Sequence, residues 1–349
     1  MTSKLSKICL QLFVVSLAAV FFATASPAKT IKLTLADSTA PVGLRGNGVK
    51  ILIEEIEKHT NGNVKVQVYW GGSLLKAKEI LNGIKDGIVD MGYINPNYYP
   101  KQMLVSGAFA IFPKGPNDFK KMSEYYFKCF DEIPAIRDEL KSLKLKPIHV
   151  NTVLSPAVVS TQPFTKFEDF KGKRIRAASR WWLAQLKAAG AVPVSVPWSD
   201  CYMALQTGTI DAVYTNLDGE HRTKLDEVAR NVYTCRELWI GVPYFYSMNI
   251  DKWNSLPKEI QDQLMAAGEA ATIRFGELHA AEWDKTITEQ KKMGCTVTSA
   301  SPEDIQKWVD MPVHKELQKV WIEETTAAGL KDAAGVLKKM EELLAEISK

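Results

Sequence analysis

The sequence lacks the residue patterns by which catalytic and metal sites are usually recognised. Its 349 residues include five histidines and five cysteines, and none of these forms a zinc-ligand spacing, an H-E-x-x-H helix or a C-x-x-C motif. There is no G-x-S-x-G elbow, P-loop or G-x-G-x-x-G fingerprint. Residues 43–48 are rich in glycine but differently spaced, so we interpret Arg45 and Asn47 as loop or binding residues. These absences predict no metal, no cofactor and no recognisable enzyme class.

The chain also lacks an excess of charge of either sign. It has 44 Lys and Arg against 40 Asp and Glu, a net charge of +4. Removal of residues 1–25 would take away Lys4 and Lys7 and leave a net charge of +2. This balance gives no electrostatic reason to expect binding to nucleic acid or to an anionic membrane surface.

A long hydrophobic run occurs at residues 12–23, which is about half of the roughly 20 residues that a membrane-spanning helix needs. Two lysines precede the run, and a small-x-small sequence follows at residues 23–25. This arrangement predicts a secretory signal peptide, residues 1–25, that is cleaved after Ala25. We therefore expect an exported, periplasmic protein, with a retained membrane anchor as the alternative.

Four cysteines remain after the predicted cleavage: Cys129, Cys201, Cys235 and Cys295. Export permits disulfides, but the wide spacings fit no small disulfide scaffold. Cys201 with Cys235 is the pair that we favour. The alternative is four buried thiols that act as small apolar side chains.

The mature length favours two lobes, and the order of elements repeats in two halves. Strands and helices alternate in each half, which predicts parallel strands joined by crossover helices. The predicted elements span residues 31–37, 46–58, 64–70, 77–86 and 89–93 in the first half and residues 173–179, 180–190, 192–197, 201–207 and 211–216 in the second.

A short motif, G-x-[VI]-D-x-x-Y-x-N, ends both halves, at residues 87–95 and 208–216. It places Tyr93 and Asn95, and Tyr214 and Asn216, at the carboxyl ends of predicted strands, where ligands bind in open α/β sheets. The motif therefore predicts a cleft to which each lobe contributes a tyrosine and an asparagine. The alternative is that the tyrosines cap the core.

Asp37 lies in the polar loop after the first predicted strand and is a further candidate for the site. Asp37 and Asp90 could form a carboxylate pair for acid–base work. We interpret Asp90 instead as a cap or turn residue, because it begins a buried strand.

Residues 258–292 have a continuous helical pattern that only Gly268 and Gly276 interrupt. A helix of this length would extend about 50 Å, more than one lobe requires. We expect it to lie along both lobes, and we expect further helix after an N-terminal helix signal at Ser301.

Several segments together resemble the periplasmic substrate-binding proteins of TRAP transporters. They include LADSTAP, FEDFKGKRIRAAS and VPWSDCYMALQTGTIDAVYTN, and the most specific parts are KGKRIR and ALQTGTIDA. The resemblance covers nearly the whole mature chain. It implies a two-lobed α/β periplasmic binding protein, class II-like, with a mixed sheet flanked by helices in each lobe and a long helix spanning both.

The resemblance also implies lobe boundaries and partners. Lobe I would comprise residues 26–153 and 243–283, and lobe II residues 154–242 and 284–349. The protein would close like a hinge on a small organic acid and pass it to the membrane subunits of a TRAP transporter. The oligomeric state, monomer or homodimer, stays open.

By the same resemblance, Arg176 would clamp the ligand carboxylate. Ser179 would assist it, Asn216 would complete the clamp, and Trp198 would line the pocket. The position of Arg176 at a strand end just before a helix N-terminus is suited to an anion. Arg174 and Arg180 are rivals for its role.

The ligand is expected to be a bulky or aromatic monocarboxylate. Relatives often carry a second arginine in the preceding strand, but residues 149–161 contain none, and a single clamp suits one carboxylate. Aromatic residues are dense around the clamp, and at most one of Trp181 and Trp182, which are adjacent on a helix, would face the cleft. The candidates for the aromatic wall are Trp181 or Trp182, Trp198, Tyr214, Tyr93, Tyr98, Tyr99, Tyr244, Phe245 and Tyr246.

Alternatives to this reading stay open at the level of the sequence. A small aliphatic 2-oxo or hydroxy acid is the next candidate for the ligand. The receptor could serve an ATP-driven importer or a sensor kinase instead, and an exported α/β enzyme acting on a carboxylate substrate is a rival from another class.

Overall fold

The computed structural model describes residues 30–348, so the predicted signal peptide lies outside the described residues. The described chain forms two mixed β-sheets flanked by helices, in agreement with the predicted fold class. None of the described helices combines the length and the apolar character needed to cross a membrane.

The described strands and helices follow each other along both lobes. The strands are β1 (Ile31–Ala36), β2 (Val64–Tyr69), β3 (Met91–Ile94), β4 (Leu145–Asn151), β5 (Pro156–Ser160), β6 (Arg174–Arg176), β7 (Val192–Val194), β8 (Ala212–Asn216), β9 (Asn231–Thr234), β10 (Tyr244–Asn249) and β11 (Thr296–Ser299). The helices are α1 (Gly43–His59), α2 (Ile80–Lys85), α3 (Phe119–Glu132), α4 (Pro134–Ser142), α5 (Arg180–Ala188), α6 (Cys201–Gln206), α7 (Leu217–Arg222), α8 (Leu225–Val228), α9 (Ile250–Asn254), α10 (Lys258–Lys292), α11 (Pro302–Val309), α12 (Val313–Ala327) and α13 (Ala333–Ser348).

The first sheet has the strand order β2-β1-β3-β10-β4, in which β1 is parallel to β2 and β3, while β10 is antiparallel to β3 and β4. The second has the order β11-β9-β5-β8-β6-β7, in which β5 is antiparallel to β8 and β9 and the other pairs are parallel. The chain passes to the second sheet after β4, returns before β10, and passes over again after α10. The lobes are therefore joined by several crossing segments.

Several elements are shorter than their patterns predicted, and a helix and a strand of these bear on the site. Residues 77–86 are helical only at Ile80–Lys85, because the Glu79 carboxylate accepts a hydrogen bond from the Lys76 backbone N–H (2.7 Å) and holds a turn before the helix. Residues 173–179 form a strand only at Arg174–Arg176, after which the chain leaves the sheet and begins α5.

Helix α10 has the predicted bounds and spans both lobes. It packs against α1, α3 and β4 in the first lobe and against α7 and β11 in the second. Gly268 is required where α10 meets β4, since a Cβ there would collide with the carbonyl oxygen of Ile148. The backbones of helix and strand are thus in direct contact.

We expect Gly268→Ala to lower the free energy of unfolding by about 1 to 2 kcal/mol, because the overpacking cost exceeds the gain of about 1 kcal/mol in helix propensity. Urea denaturation would measure the change. Gly276→Ala is the matched control in the same helix, since its Cβ would meet only the Phe119 ring, at 3.1 Å. Equal stabilisation by both alanines would contradict tight packing of α10 on β4.

The predicted disulfide between Cys201 and Cys235 is wrong. Cys201 packs in one hydrophobic cluster, together with Leu205, while Cys235 belongs to the other cluster, together with Trp308. All cysteines of the described chain are free and buried, as the alternative prediction stated: Cys129, Cys201, Cys235 and Cys295.

The lobe boundaries remain a proposal. The first sheet takes its strands from residues 31–151 and 244–249, and the second from residues 156–234 and 296–299, which supports boundaries near 153 and 243. Helix α13, however, packs against α3, where the Tyr125 hydroxyl donates to the carbonyl oxygen of Met340 (3.3 Å). We therefore propose that α13 belongs with lobe I and not with lobe II.

Candidate functional site

Arg176 is the last residue of β6, and its side chain is buried, with 4% of the residue exposed. Its Nε donates a hydrogen bond to the carbonyl oxygen of Val196 (2.9 Å), and its guanidinium lies 5.2 Å from the ring centre of Trp198. No described residue accepts a hydrogen bond from its two terminal amino groups, and no described carboxylate forms an ion pair with it. Burial lowers the pKa of Arg176 from its ordinary value. The geometry leaves a buried cation available to an anion.

The two rival arginines have acidic partners. Arg174 forms an ion pair with Asp211 (2.7 Å between Nη2 and Oδ1), and Arg180 bonds both oxygens of the Glu324 carboxylate. Both guanidinium groups are partly exposed. Of the three arginines, Arg176 alone has no acidic partner in the described chain.

Residues predicted to assist Arg176 are largely engaged in local contacts. The Ser179 hydroxyl accepts a hydrogen bond from the Trp181 backbone N–H (3.2 Å) and caps α5. The Asn216 amide donates to Asp218 Oδ1 (2.8 Å), which also accepts from the Leu154 backbone N–H (2.9 Å). Ser179 and Asn216 therefore order the strand ends of lobe II.

In lobe I, Asp37 is fully buried and positions Arg45. Its carboxylate accepts hydrogen bonds from Arg45 Nη2 (3.0 Å), the Tyr246 hydroxyl (2.6 Å) and the Thr39 backbone N–H (2.7 Å). The Arg45 guanidinium lies 4.0 Å from the ring centre of Tyr93. Burial alone would lower the pKa of Arg45, but Tyr93, Asp37 and Tyr246 outweigh it and the pKa is raised. Arg45 is thus a fixed cation beside Tyr93.

Tyr244, the first residue of β10, connects the two halves of the site electrostatically. Burial raises the pKa of its hydroxyl, Tyr98 and Asp218 raise it further, and the charges of Arg45 and Arg176 oppose this rise. Tyr244 is therefore within electrostatic reach of one arginine from each lobe.

Arg222, at the end of α7, is a third arginine at the cleft. Its side chain lies against Gly43 of α1, where a Cβ would be 2.7 Å from Arg222 Cδ. Gly43 also has a φ of +70°, so glycine is required for two reasons. Burial lowers the pKa of Arg222, and the nearby Arg45 lowers it further. The lobes are thus in contact at this edge of the cleft.

The two copies of the repeated motif share their aspartate contacts. Asp90 accepts hydrogen bonds from the backbone N–H (2.8 Å) and hydroxyl (2.9 Å) of Thr34 in β1, and Asp211 accepts from the backbone N–H (2.8 Å) and guanidinium of Arg174 in β6. Each aspartate therefore ties its strand to the neighbouring parallel strand. This agrees with the interpretation of Asp90 as a structural residue. Its hydrogen-bond partner, Thr34, also differs from the partners of Asp37.

The contacts of the tyrosines and asparagines differ between the two copies of the motif. Tyr93 faces Arg45, but Tyr214 stacks on Trp308 (5.5 Å between ring centres) in the core of lobe II. Asn95 caps the short 3-10 helix Pro96–Tyr98 by accepting from the Asn97 backbone N–H (3.0 Å). The structure therefore does not bring Tyr214 to Arg176, and it uses Asn95 for local order.

Of the adjacent tryptophans, Trp182 packs edge to face against Tyr214 (6.1 Å), so it lies in the core of lobe II. Trp181 lines a cavity of about 160 Å³ between the lobes, formed by residues 96–107 of lobe I and residues 178–181 of lobe II. Trp181, not Trp182, is therefore the indole that faces lobe I.

A cavity of about 700 Å³ lies along α10. Residues 117–120, 154–155 and 272–283 contribute to its walls, and none of the predicted site residues does. No group of three or more His, Cys, Asp or Glu side chains in the described chain is arranged to hold a metal ion. Arg176 therefore remains the candidate anchor because it is buried without an acidic partner in the described chain, not because of cavity size.

The sequence indicated Arg45 only as a loop or binding residue, and it indicated no role for Arg222. Arg45 had a weak signal, since it follows the strand-end residue Asp37 by eight positions in the turn before α1. Arg222 had no local signal, because its place is defined by the contact with Gly43 across the cleft.

Comparisons with known proteins identify the family of the chain. A family model described as bacterial extracellular solute-binding protein, family 7, matches residues 35–323. The C4-dicarboxylate-binding periplasmic protein DctP of Rhodobacter capsulatus is 27% identical over 315 residues, which cover 86% of this chain and 90% of that protein.

Solved structures show the same fold. A TRAP periplasmic solute-binding protein from Desulfovibrio salexigens, in an open complex, has a TM-score of 0.77 and 26% identity, covering 91% of this chain and 96% of its own. A marine metagenome TRAP solute-binding protein specific for aromatic acid ligands, in complex with metahydroxyphenylacetate, has a TM-score of 0.80 at 22% identity and covers 91% of this chain and 100% of its own. The second likeness concerns the fold alone.

The match to the family model covers most of the chain, and its members are solute-binding proteins and not enzymes. This confirms the resemblance found in the sequence and removes the exported enzyme as an alternative. The chain therefore belongs to the bacterial extracellular solute-binding proteins of family 7.

Proposed function

We propose that this protein is an exported receptor that binds the carboxylate of an organic acid between its lobes and delivers the acid to the membrane subunits of a TRAP-type transporter. The observation that carries the proposal is Arg176, a buried guanidinium with no acidic partner in the described chain. A carboxylate matches the planar donor pair of a guanidinium and would supply the missing negative charge.

The relatives support a carboxylate as the recognised group. The Rhodobacter protein binds C4-dicarboxylates, and the metagenome protein is specific for aromatic acids and holds metahydroxyphenylacetate. All of these ligands carry a carboxylate. Two of the proteins compared are TRAP solute-binding proteins, which supports a TRAP-type transporter as the partner.

For the ligand itself, we propose a bulky or aromatic monocarboxylate. Trp198 lies beside Arg176, and Tyr93 and Tyr244 pack against each other (5.7 Å between ring centres) on the side of lobe I. The charge of Arg45 is balanced by Asp37. One ligand carboxylate on Arg176 would therefore compensate a buried cation that has no acidic partner in the described chain.

Closure of the lobes would trap the ligand. Arg222 of lobe II already contacts α1 of lobe I, and Tyr244 is within electrostatic reach of both Arg45 and Arg176. A ligand that contacts both sides would favour this arrangement over one with separated lobes. We propose that the ligand's preference for the closed arrangement couples ligand binding to recognition by the transporter.

A thermal-shift screen of residues 26–349 against aliphatic and aromatic monocarboxylates and dicarboxylates would test the proposal. We expect at least one monocarboxylate to raise the unfolding midpoint, because a ligand at 100 times its Kd stabilises the folded state by about 2.7 kcal/mol. The primary amide of the same acid is the matched control and should give no shift. Equal shifts with acid and amide, or none with any acid at millimolar concentration, would contradict a carboxylate receptor.

A further inference from the structure

The cavity of about 700 Å³ along α10 lies where the connections between the two sheets meet. Leu154 and Ser155 belong to the connection between β4 and β5, Arg236 to the connection between β9 and β10, and residues 272–283 to α10, which spans both lobes. Phe119, the first residue of α3, adds a wall on the side of the first sheet. We call this space the hinge cavity. The residues predicted to bind the carboxylate do not line it, so it is separate from the candidate carboxylate site.

The size and the walls of the hinge cavity suit a small molecule with an apolar body. Leu154, Phe119 and Trp283 form buried parts of the wall, and Ile273 is a large apolar side chain that is 65% exposed beside them. Pockets for small molecules have volumes of about 300 to 1,000 Å³ and are lined mainly by apolar and aromatic side chains, with a few polar groups that fix the orientation of the ligand. The hinge cavity has this composition.

Several uncharged polar groups of the wall are already bonded within the protein. The Ser123 hydroxyl donates to a carbonyl oxygen of its own helix (2.9 Å), and the Ser155 hydroxyl donates to the carbonyl oxygen of Arg236 (2.9 Å). His279 Nε2 lies 3.3 Å from the carbonyl oxygen of Val153, and burial lowers the pKa of His279, so its imidazole is neutral at neutral pH. Orientation of a ligand therefore depends on the charged side chains.

Four charged side chains line the hinge cavity, and all four belong to exposed residues: Asp118, Lys120, Arg236 and Glu277. The Asp118 carboxylate is engaged, because it accepts a hydrogen bond from the Lys121 backbone N–H (3.0 Å) and caps α3. The helix N-terminus beside it favours negative charge. The two cations are thus the groups that we expect to attract a ligand.

Arg236 is the cation that lies against the apolar wall. Its guanidinium is 5.2 Å from the ring centre of the buried Trp283, and no carboxylate of the described chain forms an ion pair with it. The guanidinium presents a planar pair of donors that matches a carboxylate or a similar anion. An apolar surface and an uncompensated cation therefore meet in one cavity.

We propose that the hinge cavity is a second binding site, for a small anion with an apolar body, such as a carboxylate with an aliphatic chain or an aromatic ring. The apolar body would lie against Phe119 and Trp283, and the anionic group would accept hydrogen bonds from Arg236. This inference does not rest on the proposed function of Arg176. An occupant would contact the segments that connect the two sheets.

Two anions with apolar bodies would test the site: anilinonaphthalene sulfonate, followed by its fluorescence, and octanoate, followed by isothermal titration. We expect saturable binding of both to the wild type. Arg236→Gln should weaken both by about 3- to 10-fold, because a hydrogen bond to a charged group is lost. Ala280→Trp should weaken both by at least about tenfold, since it places an indole in the cavity from an exposed position of α10.

Each variant has a matched control. Ala281→Trp changes the next residue of α10, which is also exposed but does not line the cavity, and Arg230→Gln removes an exposed arginine outside the cavity. Both should bind the two anions as the wild type does. Arg176→Ala should also keep the binding of anilinonaphthalene sulfonate, because Arg176 does not line the hinge cavity. Octylammonium, a cation of the same chain length as octanoate, should bind more weakly than octanoate.

The outcomes separate this inference from the proposed function. Wild-type affinity in both Arg236→Gln and Ala280→Trp, or no binding of either anion, would overturn the second site. Loss of binding in Arg176→Ala but not in Ala280→Trp would assign the anions to the carboxylate site instead. Octylammonium binding as tightly as octanoate would overturn the preference for an anion. A wild-type dimer that Ala280→Trp converts to a monomer would assign the cavity to a second copy of the chain. Binding at the hinge cavity of a protein that binds no acid at Arg176 would support this inference alone.

Discussion

Replacing Arg176 by alanine is expected to abolish binding of the organic acid at ordinary ligand concentrations. Loss of one partner of a buried, hydrogen-bonded charge pair costs roughly 2 to 5 kcal/mol, which corresponds to about 30- to several-thousand-fold in affinity. The fold should survive, because Arg176 makes one hydrogen bond to Val196 and no ion pair in the described chain. Titration of an acid identified by thermal shift would measure the loss.

Two further variants make this result specific. Arg174→Ala, in the same strand, removes a partly exposed arginine that pairs with Asp211, and it should leave affinity nearly unchanged. Arg176→Lys keeps the charge but loses the planar pair of donors, so it should bind more weakly than the wild type and more tightly than Arg176→Ala. If Arg176→Ala bound the acid as well as Arg174→Ala does, the anchor would have to lie elsewhere.

Asp37→Asn should be strongly destabilising. The carboxylate of Asp37 is fully buried and holds Arg45, whose side chain is 12% exposed. Removing one partner of a buried ion pair leaves the other charge uncompensated, at a cost of about 3 to 5 kcal/mol. Urea denaturation at neutral pH, without ligand, would measure the lost free energy of unfolding.

A double variant identifies the origin of that loss. Asp37→Asn combined with Arg45→Met removes both charges, so it should recover a large part of the stability that Asp37→Asn loses. Asp90→Asn is the control carboxylate, since Asp90 is partly exposed and bonds Thr34 instead of a buried arginine. Strictly additive losses in the double variant would show that Asp37 acts through Tyr246 or Thr39 and not through Arg45.

The sequence predicted the elements whose signals are local. Helix α10 has the bounds that its pattern indicated, because thirty-five residues without proline leave few alternatives to helix. The helix start at Ser301 is confirmed by its hydrogen bond to the Asp304 backbone N–H (3.1 Å). The alternation of strands and helices was equally local and indicated the two α/β lobes.

The repeated motif shows where local signals fail. Its two copies match the same pattern, yet Tyr93 lies beside Arg45 while Tyr214 stacks on Trp308. The difference comes from what packs above each strand, and Trp308 belongs to α11, far along the chain. A pattern of nine residues carries no information about such a distant partner.

The sequence by itself determined two lobes of alternating strands and helices, a long connecting helix, and the strand end that carries Arg176. Hydrophobic periodicity, turn residues and helix caps each depend on a few neighbouring positions, so they can be recognised in the sequence alone. Only the tertiary structure decided that Arg174 and Arg180 have acidic partners while Arg176 has none, and that Asp37, Arg45 and Tyr246 form one network. Such pairings depend on which distant side chains the fold buries together, since burial is what makes an unpaired charge or hydroxyl costly.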